Sequence, residues 1–133
     1  MTGTYPGWKL NATAVNCPRE FKRSLVAGDF DANGRRDYAV KFMSRRKGYI
    51  VAFLSRGADY KPFLLEDGSA SEMRNQGLSI ARKGETYPEI VNDNFDRVTR
   101  RLRQDAPVGG TCESSAYLYI YSNGVFRRAF VSD

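Results

Sequence analysis

Asp29, Asp31, Asn33 and Asp37 stand at positions 1, 3, 5 and 9 of one short segment, with Gly34 at position 6 and Arg35 at position 7. Four oxygen-bearing side chains at odd spacing, joined by the backbone carbonyl of Arg35, make a set of hard ligands. Calcium takes about six to eight such oxygens at about 2.3–2.6 Å, and a loop wrapped around an ion needs glycine where the chain turns sharply. Three carboxylates crowded together repel one another unless a cation lies between them. Asp29, Asp31, Asn33, Arg35 and Asp37 are therefore read as the ligands of a calcium site. The competing reading is a metal-free turn, because Asp and Asn side chains bond to nearby amides and favour turns without any ion.

The flanking residues say what must position this loop. Leu25, Val26 and Ala27 form an apolar run that ends in Gly28, and Tyr38, Val40 and Phe42 alternate with smaller or polar residues on the way out. Strand, loop, strand is the reading. An EF-hand is excluded, since position 12 is Val40 rather than Glu and the exit is β-branched and aromatic instead of helical. The Gly28-Asp29-Phe30-Asp31 start, the ligand spacing and the apolar exit resemble the FG-GAP or VCBS-type repeat, found in β-propellers such as the integrin α headpiece. The resemblance implies Asp29, Asp31, Asn33 and Asp37 as side-chain calcium ligands and Arg35 as a carbonyl ligand. Residues 113–133 are similar to the closing hairpin of small exported bacterial proteins that carry a single loop of this kind. Only one copy of the loop occurs here, whereas a propeller needs several blades of about four strands each. A full propeller is not expected.

The remaining pattern is that of a single, mainly β domain over residues 1–133, with a β-rich α+β arrangement as the variant. An antiparallel meander of strands at 38–42, 49–54 and 60–65 is expected to follow the loop directly, so that the loop joins the first two strands of the central sheet. Pro62 places the last of these at an edge. A helical turn is expected at 71–74, with short strands at 78–82, 87–91 and 97–103. Pro107, Gly109 and Gly110 read as a flexible connection. Trp8 and Leu10 suggest an edge strand, and Pro18 to Phe21 a helical turn. The whole amounts to about seven strands in the meander and hairpins.

Asn123-Gly124 is the preferred pair for a type I′ hairpin turn. Counting outward sets Tyr121 opposite Phe126, Tyr119 opposite Arg128 and Tyr117 opposite Phe130, with Arg128 placed to stack on Tyr119. Leu118, Ile120, Ala129 and Val131 share the other face. Either the aliphatic face is buried and the tyrosines form an exposed strip, or the aromatic face is core and only the hydroxyls reach water.

The chain has 133 residues, 41% hydrophobic and 13% aromatic, which suits one folded domain rather than a disordered chain. No apolar run reaches the roughly 18–20 residues of a membrane span. The two cysteines, Cys17 and Cys112, lack metal-site spacing. A disulfide between them would close a long loop worth about 4–5 kcal/mol in the chain-entropy model; two free thiols are the alternative. With a modestly charged calcium loop, the bridge suits a periplasmic or extracellular location. The start Met-Thr-Gly-Thr-Tyr-Pro is no export signal, so a signal peptide removed earlier is expected.

No histidine occurs anywhere. That removes the usual general base and the histidine-dependent triads, and no enzymatic activity is expected. A net charge of +6 and a pI near 9.5 admit anionic partners. The reading is an exported, monomeric calcium-binding interaction module, its calcium structural, with an unknown protein or acidic glycan as partner. Arg45, Arg46 and Lys47 in a turn, together with Tyr117, Tyr119, Tyr121 and Arg128 on the hairpin, are the candidate partner-binding residues. A periplasmic enzyme inhibitor or immunity-type protein is the first alternative. A basic nucleic-acid- or polyanion-binding domain is the second, and nucleic acid is disfavoured because the basic stretches carry no helix-turn-helix, zinc-finger or RNP signature.

Overall fold

The structure, a computed structural model, describes residues 24–111 and 115–131. The expectations for Trp8, Leu10 and Pro18 to Phe21, and the pairing of Cys17 with Cys112, lie outside the described residues. Among those described, ten strands and one short helix follow in the order β1 (Leu25–Gly28), β2 (Asp37–Met43), β3 (Lys47–Arg56), β4 (Asp59–Ser69), α1 (Ala70–Arg74), β5 (Gln76–Ala81), β6 (Thr86–Ile90), β7 (Arg97–Arg101), β8 (Ala106–Thr111), β9 (Ser115–Ser122) and β10 (Val125–Phe130). The fold is mainly β and antiparallel, with more strands than the seven expected.

Three open sheets result, ordered β1-β2-β3-β4, β10-β9-β8-β5 and β6-β7. The first is the expected meander. Within β3, Gly48, Ile50, Ala52 and Leu54 are buried while Tyr49, Val51 and Phe53 are half-buried on the opposite face, the period-two alternation of a sheet with one core side. Pro62 lies on β4 at the sheet edge, facing Phe53, where its missing N–H costs no ladder bond. The helical turn forms because Ser69 and Glu72 make a reciprocal cap: Glu72 N donates to Ser69 Oγ at 3.1 Å and Ser69 N to Glu72 Oε1 at 2.9 Å. Met73 then packs into the first core.

The second sheet corrects two expectations. Pro107, Gly109 and Gly110 are not a flexible connection but part of β8, paired with β5 on one side and β9 on the other. Glycine is required at 109 because a Cβ there would lie 2.9 Å from Cε2 and 3.0 Å from the hydroxyl of Tyr119. This sheet, rather than the loop-bearing one, is the central layer. One face, through Leu78, Ile80, Tyr121 and Phe126, joins a core with Val26, Phe30, Ile50 and Leu54 of the first sheet region. Its other face, through Val108, Leu118 and Ala129, joins a core with Tyr87 of β6 and with Leu102, the residue after β7.

Both faces of the β9–β10 hairpin are thus used, and the choice between an aliphatic and an aromatic core does not arise. The expected register holds throughout: Phe126 faces Tyr121, Arg128 faces Tyr119 and Phe130 faces Tyr117. Asn123 and Gly124 adopt φ of 54° and 86°, the two left-handed positions of a type I′ turn. Among the described residues no helix is long and apolar enough to cross a membrane.

Candidate metal centre

The loop between β1 and β2 begins and ends on a paired position, Gly28 facing Asp37, so its mouth is fixed by the ladder. Ala32 and Gly34 turn the chain back with φ of 60° and 81°. Asp29, Asp31 and Asp37 consequently converge, each offering a carboxylate oxygen within 4.8 Å of the others. Asp37 is fully buried, and the side chain of Asp31 is only 7% exposed.

Each carboxylate is oriented by a different set of donors. Asp37 accepts the backbone N–H of Phe30 and that of Ser55, both at 2.8 Å, which ties the loop to the end of β3. Asp29 accepts from the Asn33 and Gly34 amides at 3.1 and 2.8 Å. Asp31 differs. Its Oδ2 accepts Arg56 Nη1 at 2.8 Å, whereas its buried Oδ1 has no hydrogen-bond partner. Asn33 and Arg35 belong to the same turn: the Arg35 N–H donates to Asn33 Oδ1 at 2.9 Å, and Asn33 Nδ2 reaches the Ser55 carbonyl at 3.4 Å.

The electrostatics match the crowding. Burial pushes the Asp37 carboxyl above its ordinary value; the Ser55 and Phe30 amides oppose that shift, and repulsion from Asp31 and Asp29 adds to it. Accepting amide hydrogens does not exhaust these groups, since an ionised carboxylate has about four lone-pair sites. The donor set is hard, anionic and oxygen-only, and a buried oxygen in it lacks a partner. The residues could therefore hold a hard metal cation, with Asp29, Asp31 and Asp37 as the candidate charged ligands and Asn33 and the Arg35 carbonyl as the neutral candidates.

Three residues of this site carried no signal in their local sequence. Asp105 accepts the Asp29 N–H at 3.0 Å from a position 76 residues away. Ser55 contributes only backbone groups, and Arg56 supplies the cation paired with Asp31. Gly28 is forced by the Asp105 contact, because a Cβ there would approach Asp105 Oδ2 to 2.9 Å and Ile80 Cδ1 to 2.7 Å.

The candidate partner-binding residues separate into two groups. Arg45, Arg46 and Lys47 are exposed on the β2–β3 turn, closed by Ser44 N to the Lys47 carbonyl at 2.7 Å. The tyrosines do not form an exposed strip. Tyr119 is 2% exposed, its hydroxyl donating to Glu66 Oε1 at 3.2 Å. Tyr121 packs edge-on against Phe63 and Phe126, with ring centroids 5.7 and 5.2 Å away. Arg128 stacks on Tyr117, at 4.8 Å, rather than on Tyr119; Glu66 draws it there through a 2.9 Å bond. No family model matches the chain, and no known protein or solved structure compared with it does either.

Proposed function

We propose that this chain is an exported interaction module whose loop, of single FG-GAP type, is held by a structural calcium ion. The observation that carries this reading is the unpartnered, buried Oδ1 of Asp31 beside two further carboxylates. An oxygen left this way costs about 1–3 kcal/mol, more when charged, unless a cation completes it. Bound calcium would supply positive charge at the point where the three carboxylates repel and would fix the exit of β1 into β2. No step of chemistry is asked of it. The absence of histidine and the lack of an obvious nucleophile-base pair in the sequence favour binding over catalysis.

The test is calorimetric titration with calcium after chelation, paired with thermal melts of the parent and of Asp31→Asn. The substitution preserves shape while removing one ligand charge. Melting temperature is expected to rise with millimolar calcium in the parent, since a ligand at 100 times its Kd adds about 2.7 kcal/mol. Asp31→Asn should lose most of that rise. Identical melts of the parent in calcium and in chelator would overturn the proposal.

A second reading, an inhibitor or immunity-type protein, is favoured by one feature. Phe95 is 64% exposed at φ 61°, on a β6–β7 tip that Asn92 clamps through bonds to the Asn94 and Asp96 amides at 2.9 and 3.3 Å. A rigid tip that presents an aromatic ring suits insertion into a partner's cleft. It predicts a one-to-one complex with a host hydrolase that Phe95→Ala dissociates; an unchanged complex would count against it.

A further inference from the structure

We propose that the cleft between the β6–β7 ribbon and the β9–β10 hairpin binds an acidic oligosaccharide through its carboxylate or sulfate groups. The cleft, open to solvent, has a volume of about 580 Å³ and is lined in part by Arg100, Arg101, Arg103 and Arg127, with no carboxylate among its lining residues. That volume falls within the range of about 300–1,000 Å³ typical of small-ligand sites.

Three of the four guanidiniums are held in place, two of them by one buried carboxylate behind the cleft. Glu89, 8% exposed, accepts Arg100 Nε at 2.7 Å and Arg127 Nη1 at 2.8 Å. One carboxylate facing two guanidiniums leaves a positive excess. Arg101 is pinned by the Gly84 carbonyl at 2.7 Å. Arg103 forms no side-chain hydrogen bond or ion pair among the described residues. The β7 strand that carries two of these arginines is exposed along its whole length and pairs on one side only. Planar guanidinium forks match two-oxygen anions, carboxylate and sulfate alike.

The choice of a sugar chain over a nucleic acid rests on the rings. Single-stranded nucleic-acid sites stack bases on open aromatic faces, but Tyr87 at the floor is 4% exposed. Tyr121 is already packed edge-on against Phe63 and Phe126. Around them the cleft offers the hydroxyls of Thr99 and Ser122 and the side chain of Gln104, whose Nε2 already donates to the Tyr121 carbonyl at 2.6 Å and leaves its Oε1 as an acceptor for sugar hydroxyls. The inference does not depend on calcium.

Titrations run in chelator keep the two apart. The probes are a heparin-derived tetrasaccharide, a tri-galacturonate, an uncharged cellotetraose and a short oligo-dT, each followed by calorimetry against the parent protein. Binding of either acidic probe is expected, weakening from about 50 to about 200 mM salt, and which one binds separates sulfate from carboxylate recognition. Arg101→Gln with Arg103→Gln should weaken binding by about tenfold, the loss of a charged contact or two. Arg103→Gln alone, at a side chain without described partners, should weaken it by about threefold. Arg45→Gln with Arg46→Gln, on another turn, should change it by less than about twofold. The proposal is overturned if neither acidic probe binds, if oligo-dT or cellotetraose binds as tightly, or if the Arg45 and Arg46 variant loses as much as the cleft variants.

Discussion

Asp105 holds Asp29 from a position 76 residues along the chain: its Oδ2 accepts the Asp29 N–H at 3.0 Å, while its Oδ1 accepts the Lys83 N–H at 2.9 Å. Arg82 adds a guanidinium at 3.5 Å. One carboxylate at the entrance to β8 thus joins the start of the β1–β2 loop to the turn after β5. The loop is anchored by the second sheet as well as by its own.

Asp105→Ala leaves two backbone amides without their acceptor, that of Asp29 partly buried and that of Lys83 exposed to water. Hydrogen bonds to a charged acceptor contribute about 1.5–3 kcal/mol, so a loss of about 2 kcal/mol in urea unfolding is expected. Calcium affinity should fall too, because Asp29 is then oriented from one side only. Unchanged stability would show that the anchor is incidental.

Arg56→Gln acts in the opposite sense on the ion. Arg56 pairs with Asp31 through Oδ2 at 2.8 Å and competes with any cation for that carboxylate. Its removal should raise calcium affinity by a few-fold in calorimetry, while the calcium-free protein melts at a slightly lower temperature. A drop in affinity would show that Arg56 supports the site instead of opposing it.

Tyr119 sets the alkaline limit. Burial first, then the charge of Glu66, pushes its phenol far above the ordinary value of 10.0. The folded state therefore keeps a proton that the unfolded chain releases near pH 10. This contribution is complete below that pH and is lost as pH rises past it. Tyr119→Phe should flatten the fall in stability above pH 10, measured by urea unfolding at fixed pH. Part of the fall remains, since Tyr87 is raised by burial as well.

Gly109→Ala tests how closely β8 and Tyr119 fit. The added methyl would meet the ring at 2.9 Å, and that ring is buried and cannot swing away. Overpacking of this kind costs about 1–3 kcal/mol. Pairing Gly109→Ala with Tyr119→Leu should recover part of the loss, a coupling that a double-mutant cycle reads directly.

The convergence of the loop carboxylates and the closing hairpin were legible because their information is local. Odd spacing of Asp29, Asp31, Asn33 and Asp37, and the Asn123-Gly124 pair, each act within a few residues. β8 was not legible. Its Pro107, Gly109 and Gly110 signal a break when read alone, and the reason they form a strand sits on β9, in the ring of Tyr119. Asp105 illustrates the same limit, being 76 residues from its partner. Arg128 fell between the two: its register with Tyr119 was legible, but its lean toward Tyr117 is set by Glu66 on β4, which neighbour counting along a hairpin cannot reach.

The chemistry on the two sides of the β9–β10 hairpin differs, with phenols and phenylalanines toward one neighbour and small aliphatic groups toward the other. A one-residue slip at the Asn123-Gly124 bend would deliver tyrosines into a space shaped for Leu118 and Ala129, and methyl groups into one shaped for Tyr121. Misalignment is therefore penalised twice over. The hairpin serves as the gauge against which the outer layers find their seats.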